Sequence, residues 1–183
     1  MREEIEGEKI ILRRYQSGFA PLLYEAAFES RGGEFSRWMP WCHANYTLAD
    51  SESFVKKCVE NRKHDTEFNF AIFDKFDGVF LGGVGLNQFN RQHNFANLGY
   101  WIRTSRQNRG AASTATRMLA RAGFKTLSIK RIEIPTAIEN EPSQKAALKA
   151  GAAREGILRN RLLIGGRTHD AIVFSFVRED FNL

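Results

Sequence analysis

A run of small and polar residues between two predicted elements offers chemistry for binding an anion. Residues 107–114 read Gln-Asn-Arg-Gly-Ala-Ala-Ser-Thr and follow a strand-like segment that ends at Ile102. The helix that this run opens leaves its first backbone N–H groups without intrahelical partners, and the small side chains let a ligand approach them closely. The run therefore predicts an anion site, and a diphosphate fits it.

The charge around this run favours the same kind of ligand. Residues 103–132 include eight Lys and Arg residues and no Asp or Glu. Because these eight cations exceed the net charge of +6, the rest of the chain is slightly acidic and the basicity is a local field. Three of the cations are spaced by four, which is typical of the solvated face of a helix. The cations directed at the ligand are therefore expected closer to the run, at Arg103, Arg106 and Arg109.

Length and composition limit the classes of protein to which the chain can belong. The chain has 183 residues, 43% hydrophobic and 12% aromatic, which suits one well-buried core, so we expect a single domain over residues 1–183. No run of about 18 apolar residues exists, and the charged start predicts no signal peptide, so we expect a cytoplasmic protein without a membrane partner. The two Cys and four His residues lack metal-ligand spacing, so no metal site is predicted.

Hydrophobic periodicity predicts the elements that would position the run. Strand patterns cover residues 9–14, 68–73, 79–86, 95–102, 131–137, 153–163 and 169–176. Helical patterns cover residues 19–29, 47–63, 110–126 and 142–150. The order begins with an antiparallel meander and ends with a hairpin, which predicts an α/β (α+β) fold with a sheet of about seven strands.

Taken in this order, the residues resemble a known family. The chain is similar to the GCN5-related N-acetyltransferases (GNAT), and within them to ribosomal-protein N-terminal acetyltransferases of the RimJ/RimL type. Gln107, Gly110 and Ala112 fit the pyrophosphate motif of the family, Gln/Arg-x-x-Gly-x-Gly/Ala. The context agrees over nearly the whole chain, because Gly-Tyr-Trp-Ile precedes the motif at residues 99–102 and Asn-x-x-Ser follows it at residues 140–143.

The resemblance implies a fold and a co-substrate. It implies a mixed, mainly antiparallel twisted sheet with helices on both faces, which splays apart between the fourth and fifth predicted strands. Acetyl-CoA would lie in that split, with its pantetheine arm along the backbone of Ile102 and Thr104, and no metal is implied. The residues implied in binding it are Ile102, Thr104, Gln107, Asn108, Arg109, Gly110, Ala111, Ala112, Ser113, Thr114 and Asn140.

The resemblance also shows where familiar catalytic residues are replaced. Ala147 stands where many relatives have the tyrosine that protonates the leaving thiolate, so Ser143 of the Asn-x-x-Ser motif is the candidate catalytic acid. Asn97 stands where relatives usually have a glutamate, and an amide cannot act as a general base. An alternative interpretation is that Asn140 and Ser143 cap the helix that follows them.

The missing base favours a particular acceptor. A protein α-amino group has a pKa of about 7.7–8.0 and is partly neutral at cellular pH, whereas a lysine or polyamine nitrogen needs more help. The N-terminal amine of a protein, such as a ribosomal protein, is therefore the preferred acceptor, with Glu133 and His43 as alternative bases. Trp38, Trp41 and Tyr46 are predicted to form the acceptor wall.

Other functions remain as alternatives at this point. The same fold could acetylate a small amine, such as an antibiotic, an amino acid or a polyamine. A non-catalytic CoA-binding protein would explain the replaced tyrosine and glutamate, and a nucleic-acid-binding protein would explain the pI of about 9.5. No nucleic-acid recognition motif is present, so that partner is disfavoured. The acyl preference beyond acetyl and the oligomeric state, including a homodimer, are left open.

Overall fold

The computed structural model describes residues 1–183 and contains one sheet of eight strands. The strands are β1 (Glu4–Glu6), β2 (Ile10–Arg14), β3 (Phe68–Asp74), β4 (Phe80–Asn90), β5 (Phe95–Ile102), β6 (Arg131–Ala137), β7 (Ala153–Ile164) and β8 (Arg167–Val177). The helices are α1 (Ala20–Ser30), α2 (Gly33–Trp38), α3 (Leu48–Lys63), α4 (Ala111–Thr126) and α5 (Glu141–Lys149).

The sheet confirms the predicted fold and adds one strand to it. Its order is β1-β2-β3-β4-β5-β6-β8-β7, and every neighbouring pair is antiparallel except β5 and β6. All seven predicted strands are present. The sequence pattern misses β1, whose glutamates do not resemble a strand, yet it pairs with β2, and Glu4 Oε2 lies 2.6 Å from Arg13 Nε.

Helices cover both faces of the sheet, as predicted. Side chains alternate along β3, so Phe70 and Ile72 join the core under α4, whereas Ala71 and Phe73 join the core under α1 and α3. Within α4, Leu119 is fully buried against the first of these cores. Helices therefore pack on both faces of the sheet, and the parallel strands β5 and β6 lie in its middle.

The parallel pair is short, and this opens the centre of the sheet. β5 and β6 align only from Phe95 opposite Arg131 to Asn97 opposite Glu133. Beyond that point β5 continues beside β4 to Ile102, while β6 continues beside β8. The split therefore lies between the fourth and fifth predicted strands, as expected, and these are β5 and β6 of the observed sheet.

The segment between β5 and α4 is tied to α1 by a buried arginine. Arg103 is only 8% exposed, and its Nη2 donates to Glu25 at 2.8 Å and also to Glu29. Glu29 additionally accepts from the backbone N–H of Ser105 at 3.0 Å and from its hydroxyl at 2.7 Å. The expectation that Arg103 faces an anionic ligand is therefore wrong, because two carboxylates already neutralise it.

None of the helices combines the length and the apolar character that a membrane crossing requires. No three His, Cys, Asp or Glu side chains lie close enough together to hold a metal ion. Cys42 and Cys58 are both free and buried.

The Arg103 cluster predicts an acid-sensitive contribution to stability. Glu29→Gln should destabilise the fold at neutral pH by about 1–3 kcal/mol, because the buried guanidinium keeps only Glu25 as a carboxylate partner. The hydrogen bond from Arg103 lowers the pKa of Glu29 from 4.5 to about 2. The contribution is therefore present above pH 4.5 and disappears as the pH falls through about 2.

Urea unfolding of the wild type and the variant, at neutral pH and at steps down to about pH 2, measures this difference. The matched control is Glu52→Gln, which removes an exposed carboxylate that has no ion pair. Equal losses in the two variants, or a difference from wild type that does not shrink in acid, would contradict the assignment.

Candidate active site

The start of α4 is open, because no side chain caps it. Gly110 is the N-cap residue at φ 84 and ψ 0, a left-handed conformation that glycine adopts most easily, and the first turn contains no acidic residue. Ser113 Oγ donates to the carbonyl of Gly110 at 2.9 Å instead of accepting from an amide. The backbone N–H groups of Ala111, Ala112 and Ser113 therefore have no partner within the protein.

These amides border a cavity of about 360 Å³, which we call the smaller cavity. Eight of the eleven predicted acetyl-CoA residues line it: Ile102, Gln107, Asn108, Gly110, Ala111, Ala112, Ser113 and Asn140. Thr104, Arg109 and Thr114 are exposed and do not line it. Residues 107–114, the predicted anion site, thus form one wall of the smaller cavity, except for the exposed Arg109 and Thr114.

The cations near the smaller cavity differ from the predicted ones. Arg106 lines it, but its Nη1 already donates to Asp77 at 3.0 Å. Arg109 is exposed and has no ion pair. Lys149 of α5 is a lining residue that the sequence does not reveal, and its Nζ lies 3.8 Å from the position that a Cβ on Gly110 would take. The position of Lys149 in this cavity cannot be predicted from local sequence, because only the fold brings α5 beside the start of α4.

The backbone expected to contact the pantetheine arm is partly engaged already. The carbonyl of Ile102 accepts from Gln107 Nε2 at 3.1 Å. The N–H of Thr104 donates to Ser30 Oγ at 3.0 Å, so in this arrangement it is not free to bind a ligand. The expectation for Thr104 therefore does not match its observed contacts.

The ladder between β4 and β5 decides which backbone groups face the split. The N–H of Arg103 donates to the carbonyl of Leu81 at 2.8 Å. Alternate residues of an antiparallel strand direct their backbone groups to opposite sides, so those of Trp101 point toward β4. The backbone groups of Tyr100 and Ile102 point the other way, into the split, where no strand pairs with them.

A larger cavity of about 730 Å³ adjoins the smaller one. The two share six lining residues, namely Trp38, Met39, Tyr100, Trp101, Asn140 and Ser143. All three predicted acceptor residues, Trp38, Trp41 and Tyr46, line the larger cavity, and Leu162 and Ile164 of β7 line it too. Two chambers therefore meet at the end of β5 and the start of α5.

The aromatic wall of the larger cavity is built by mutual edge contacts. The ring of Trp41 lies 5.2 Å from that of Trp101 and 5.6 Å from that of Tyr46. The hydroxyl of Tyr46 is hydrogen bonded to Ser51 Oγ at 2.9 Å, so this side chain is held from below by α3. Such T-shaped contacts hold the rings at fixed angles around the chamber.

A pair of hydroxyl groups marks the junction of the two cavities. Ser143 Oγ donates to Tyr100 Oη at 3.1 Å, and Tyr100 Oη donates to the backbone carbonyl of Ser143 at 2.7 Å. Burial raises the pKa of Tyr100 to about 12, although the hydrogen bond from Ser143 acts in the opposite direction. Tyr100 is missing from the predicted site, although it lies in the Gly-Tyr-Trp-Ile segment that identified the family.

The capping interpretation of Asn140 is confirmed. Asn140 is the N-cap of α5, and its Oδ1 accepts from the backbone N–H of Ser143 at 3.2 Å. The hydroxyl of Ser143 takes no part in the cap. Because Asn140 also lines both cavities, capping and ligand contact are compatible at this residue.

The residues considered as bases lie in different places. Glu133 lines neither cavity and is paired with Arg131 at 2.9 Å. His43 and Asp50 are the only imidazole and the only carboxylate that line the larger cavity. Hydrogen bonds from Thr47, through its hydroxyl and its N–H at 2.7 Å each, lower the pKa of Asp50, which makes that carboxylate a weak base.

Sequence comparison identifies the family of this site. Residues 9–153 match the family model described as the acetyltransferase (GNAT) domain. Among curated proteins, YdaF of Bacillus subtilis (strain 168), provisionally assigned as a ribosomal N-acetyltransferase, is 28% identical over 106 residues. This alignment spans 58% of the present chain and 58% of the length of that relative.

Solved structures share the fold over nearly the entire chain. A structure from Vibrio cholerae, provisionally assigned as a ribosomal-protein-serine acetyltransferase, is 29% identical, has a TM-score of 0.82 and covers 97% of this chain and 99% of that one. RimL, a ribosomal L7/L12 α-N-protein acetyltransferase in complex with coenzyme A, has a TM-score of 0.85 and covers 96% and 98%. At 18% identity the likeness to RimL concerns the fold alone. Since the family model covers most of the chain, the chain belongs to the GNAT acetyltransferase family.

Proposed function

We propose that the chain transfers the acetyl group of acetyl-CoA to the N-terminal α-amino group of a protein. The observation that carries this proposal is the meeting of two cavities at Tyr100 and Ser143. One cavity offers free backbone amides to an anion, and the other offers an aromatic chamber to an amine. The thioester of acetyl-CoA would lie where they join.

The smaller cavity suits the diphosphate of CoA. The free amides of Ala111, Ala112 and Ser113 supply directed donors, and the positive end of the α4 dipole adds about 1 kcal/mol for an anion at a solvated site. Lys149 supplies a cation across from Gly110. The backbone groups of Tyr100 and the N–H of Ile102, which no strand pairs in the split, suit the amide groups of the pantetheine arm.

The proton balance of the reaction involves the hydroxyl pair. The amine nitrogen bonds to the carbonyl carbon, the bond to sulfur breaks, and the proton lost by nitrogen ends on the thiolate. The pKa of Tyr100, about 12, lies well above that of a thiol, about 8.5, so Tyr100 keeps its proton and orients Ser143. Ser143 Oγ can turn from Tyr100 Oη toward the sulfur and donate to it as the negative charge develops.

The acceptor cavity favours an α-amino group over a polyamine. Its single carboxylate, Asp50, is already engaged by Thr47, so the chamber lacks the acidic lining that a polycation needs. A protein α-amine, with a pKa of about 7.7–8.0, is partly neutral and can attack without a strong base. The provisional description of YdaF as a ribosomal N-acetyltransferase supports the same class of acceptor.

An acceptor panel tests this function. Release of free CoA thiol from acetyl-CoA should occur with peptides that begin with Ser, Ala or Met, and mass spectrometry should place the acetyl group on the α-nitrogen. Peptides with a blocked N-terminus and an internal lysine should be inert, because their remaining amine is almost fully protonated. Release with polyamines, aminoglycosides or free amino acids, but not with peptides, would contradict the proposal.

Ser143→Ala tests the hydroxyl pair. It should lower the turnover number about 10- to 100-fold, since it removes a hydrogen-bond donor that acts as the thiolate leaves. The affinity for acetyl-CoA should change little, because Asn140 caps α5 through the backbone N–H of residue 143. The readouts are steady-state kinetics and titration calorimetry.

Ser175→Ala is the matched control, since Ser175 is a buried serine outside both cavities whose hydroxyl donates to Glu155 at 2.7 Å. Unchanged turnover in Ser143→Ala, or the same loss in both variants, would reduce Ser143 to a structural residue.

A further inference from the structure

A buried hydroxyl in the larger cavity has no hydrogen-bond partner. Tyr15 follows β2, is 3% exposed and packs edge-on against Phe54 with the ring centroids 5.3 Å apart. It lines the larger cavity, yet its Oη neither contacts water nor bonds to any protein atom. Buried polar groups are nearly always paired in native proteins, so this exception needs an explanation. Burial also raises the pKa of Tyr15, which keeps its proton available for donation.

A second polar atom without a partner lies beside it. The indole ring of Trp101 lines the same cavity, and its Nε1 makes no side-chain hydrogen bond within the protein, but unlike Tyr15 Oη it is not closed off from water. Both atoms lie over Gly83 of β4. A Cβ built there would be 2.7 Å from Trp101 Nε1 and 2.9 Å from Tyr15 Oη, so only glycine leaves room for them. Tyr15, which follows β2, and Trp101 of β5 therefore converge beside Gly83.

The other polar side chains nearby are already paired. The hydroxyl of Tyr46 bonds to Ser51, Asn69 Nδ2 donates to Glu67 at 2.9 Å, and Asp50 is held by its cap. Beside Gly83, the donors that a bound molecule could still use are therefore Tyr15 Oη and Trp101 Nε1.

The chemistry of the two donors limits what they can recognise. An indole N–H can only donate, so the bound group must be a hydrogen-bond acceptor and not an ammonium group. Leu23 and Phe54 make the surroundings apolar, and an unpaired carboxylate would be strongly disfavoured there. The group that fits is a neutral oxygen, either a carbonyl or a hydroxyl.

Resting on the proposed function, we propose that Tyr15 Oη and Trp101 Nε1 form a subsite for a neutral oxygen of the acceptor. That oxygen belongs to the first peptide carbonyl or to a hydroxyl on the N-terminal side chain, close to the amine that reacts. Because Tyr15 Oη is closed off from water, the side chains that cover it must shift when the acceptor enters. Trp101 directly follows Tyr100, so the subsite and the hydroxyl pair are adjacent in β5.

Tyr15→Phe tests the subsite, because it deletes one oxygen atom and keeps the ring that packs on Phe54. The melting temperature should stay equal or rise, since the lost hydroxyl had no partner. Titration calorimetry in the presence of CoA should show about tenfold weaker binding of short peptide amides that begin with Ser or Ala. Binding of phenethylamine, which carries no oxygen, should not change.

The peptide series separates the two sources of the oxygen. If Tyr15→Phe weakens the binding of both peptides, the oxygen bound at the subsite is the first peptide carbonyl. If it weakens only the binding of the Ser peptide, that oxygen is the side-chain hydroxyl. The control is Tyr24→Phe, a half-buried tyrosine outside both cavities that makes no hydrogen bond.

In this experiment, failure of the subsite and failure of the proposed function give different results. Peptides that bind through Tyr15 but accept no acetyl group would sink the proposed function and leave the subsite in place. Peptides that are acetylated and bind Tyr15→Phe as tightly as the wild type would overturn the subsite alone. Peptides that neither bind nor react would overturn both.

Discussion

The early parting of β5 and β6 is the constraint on which the rest of this structure depends. The two strands align over three residues only, so the backbone of the second half of β5 lacks a strand on one side. Buried backbone N–H and C=O groups require partners, and an extended ligand with its own amides can supply them. The same parting places the start of α4 and the start of α5 on either side of one opening, where the two cavities meet.

Much of this architecture can be predicted from local sequence, because strand alternation and helical periodicity are local. The anion site at residues 107–114 can also be predicted from local sequence, since small residues at the start of a helix let an anion approach its free backbone N–H groups. What the sequence cannot reveal is which charges are already paired. Arg103 belongs to a run of cations, but the fold brings Glu25 and Glu29 to it from more than seventy positions away. Lys149 is the converse case, because it reaches the start of α4 only through the packing of α5.

At the candidate active site, too, the sequence predicts only part of the arrangement. Family resemblance identifies what is absent at Asn97 and Ala147, but it does not reveal which groups stand near the reacting atoms. The structure places the phenol of Tyr100 on β5 against Ser143, where the two cavities meet. Under the proposed function, two hydroxyl groups and an acceptor that is already partly neutral would suffice for the chemistry, without a strongly basic carboxylate in the larger cavity.

The central claim, that the uncapped start of α4 binds the diphosphate of CoA, is tested most directly by titrating CoA into Ala112→Glu and Ala112→Gln. A carboxylate in the first turn stabilises a helix, so the glutamate variant should unfold no more easily than the wild type. It should nevertheless bind CoA at least about tenfold more weakly, since its charge repels the diphosphate, and the glutamine variant should lose much less. Equal CoA affinity in the wild type and the glutamate variant would contradict the account.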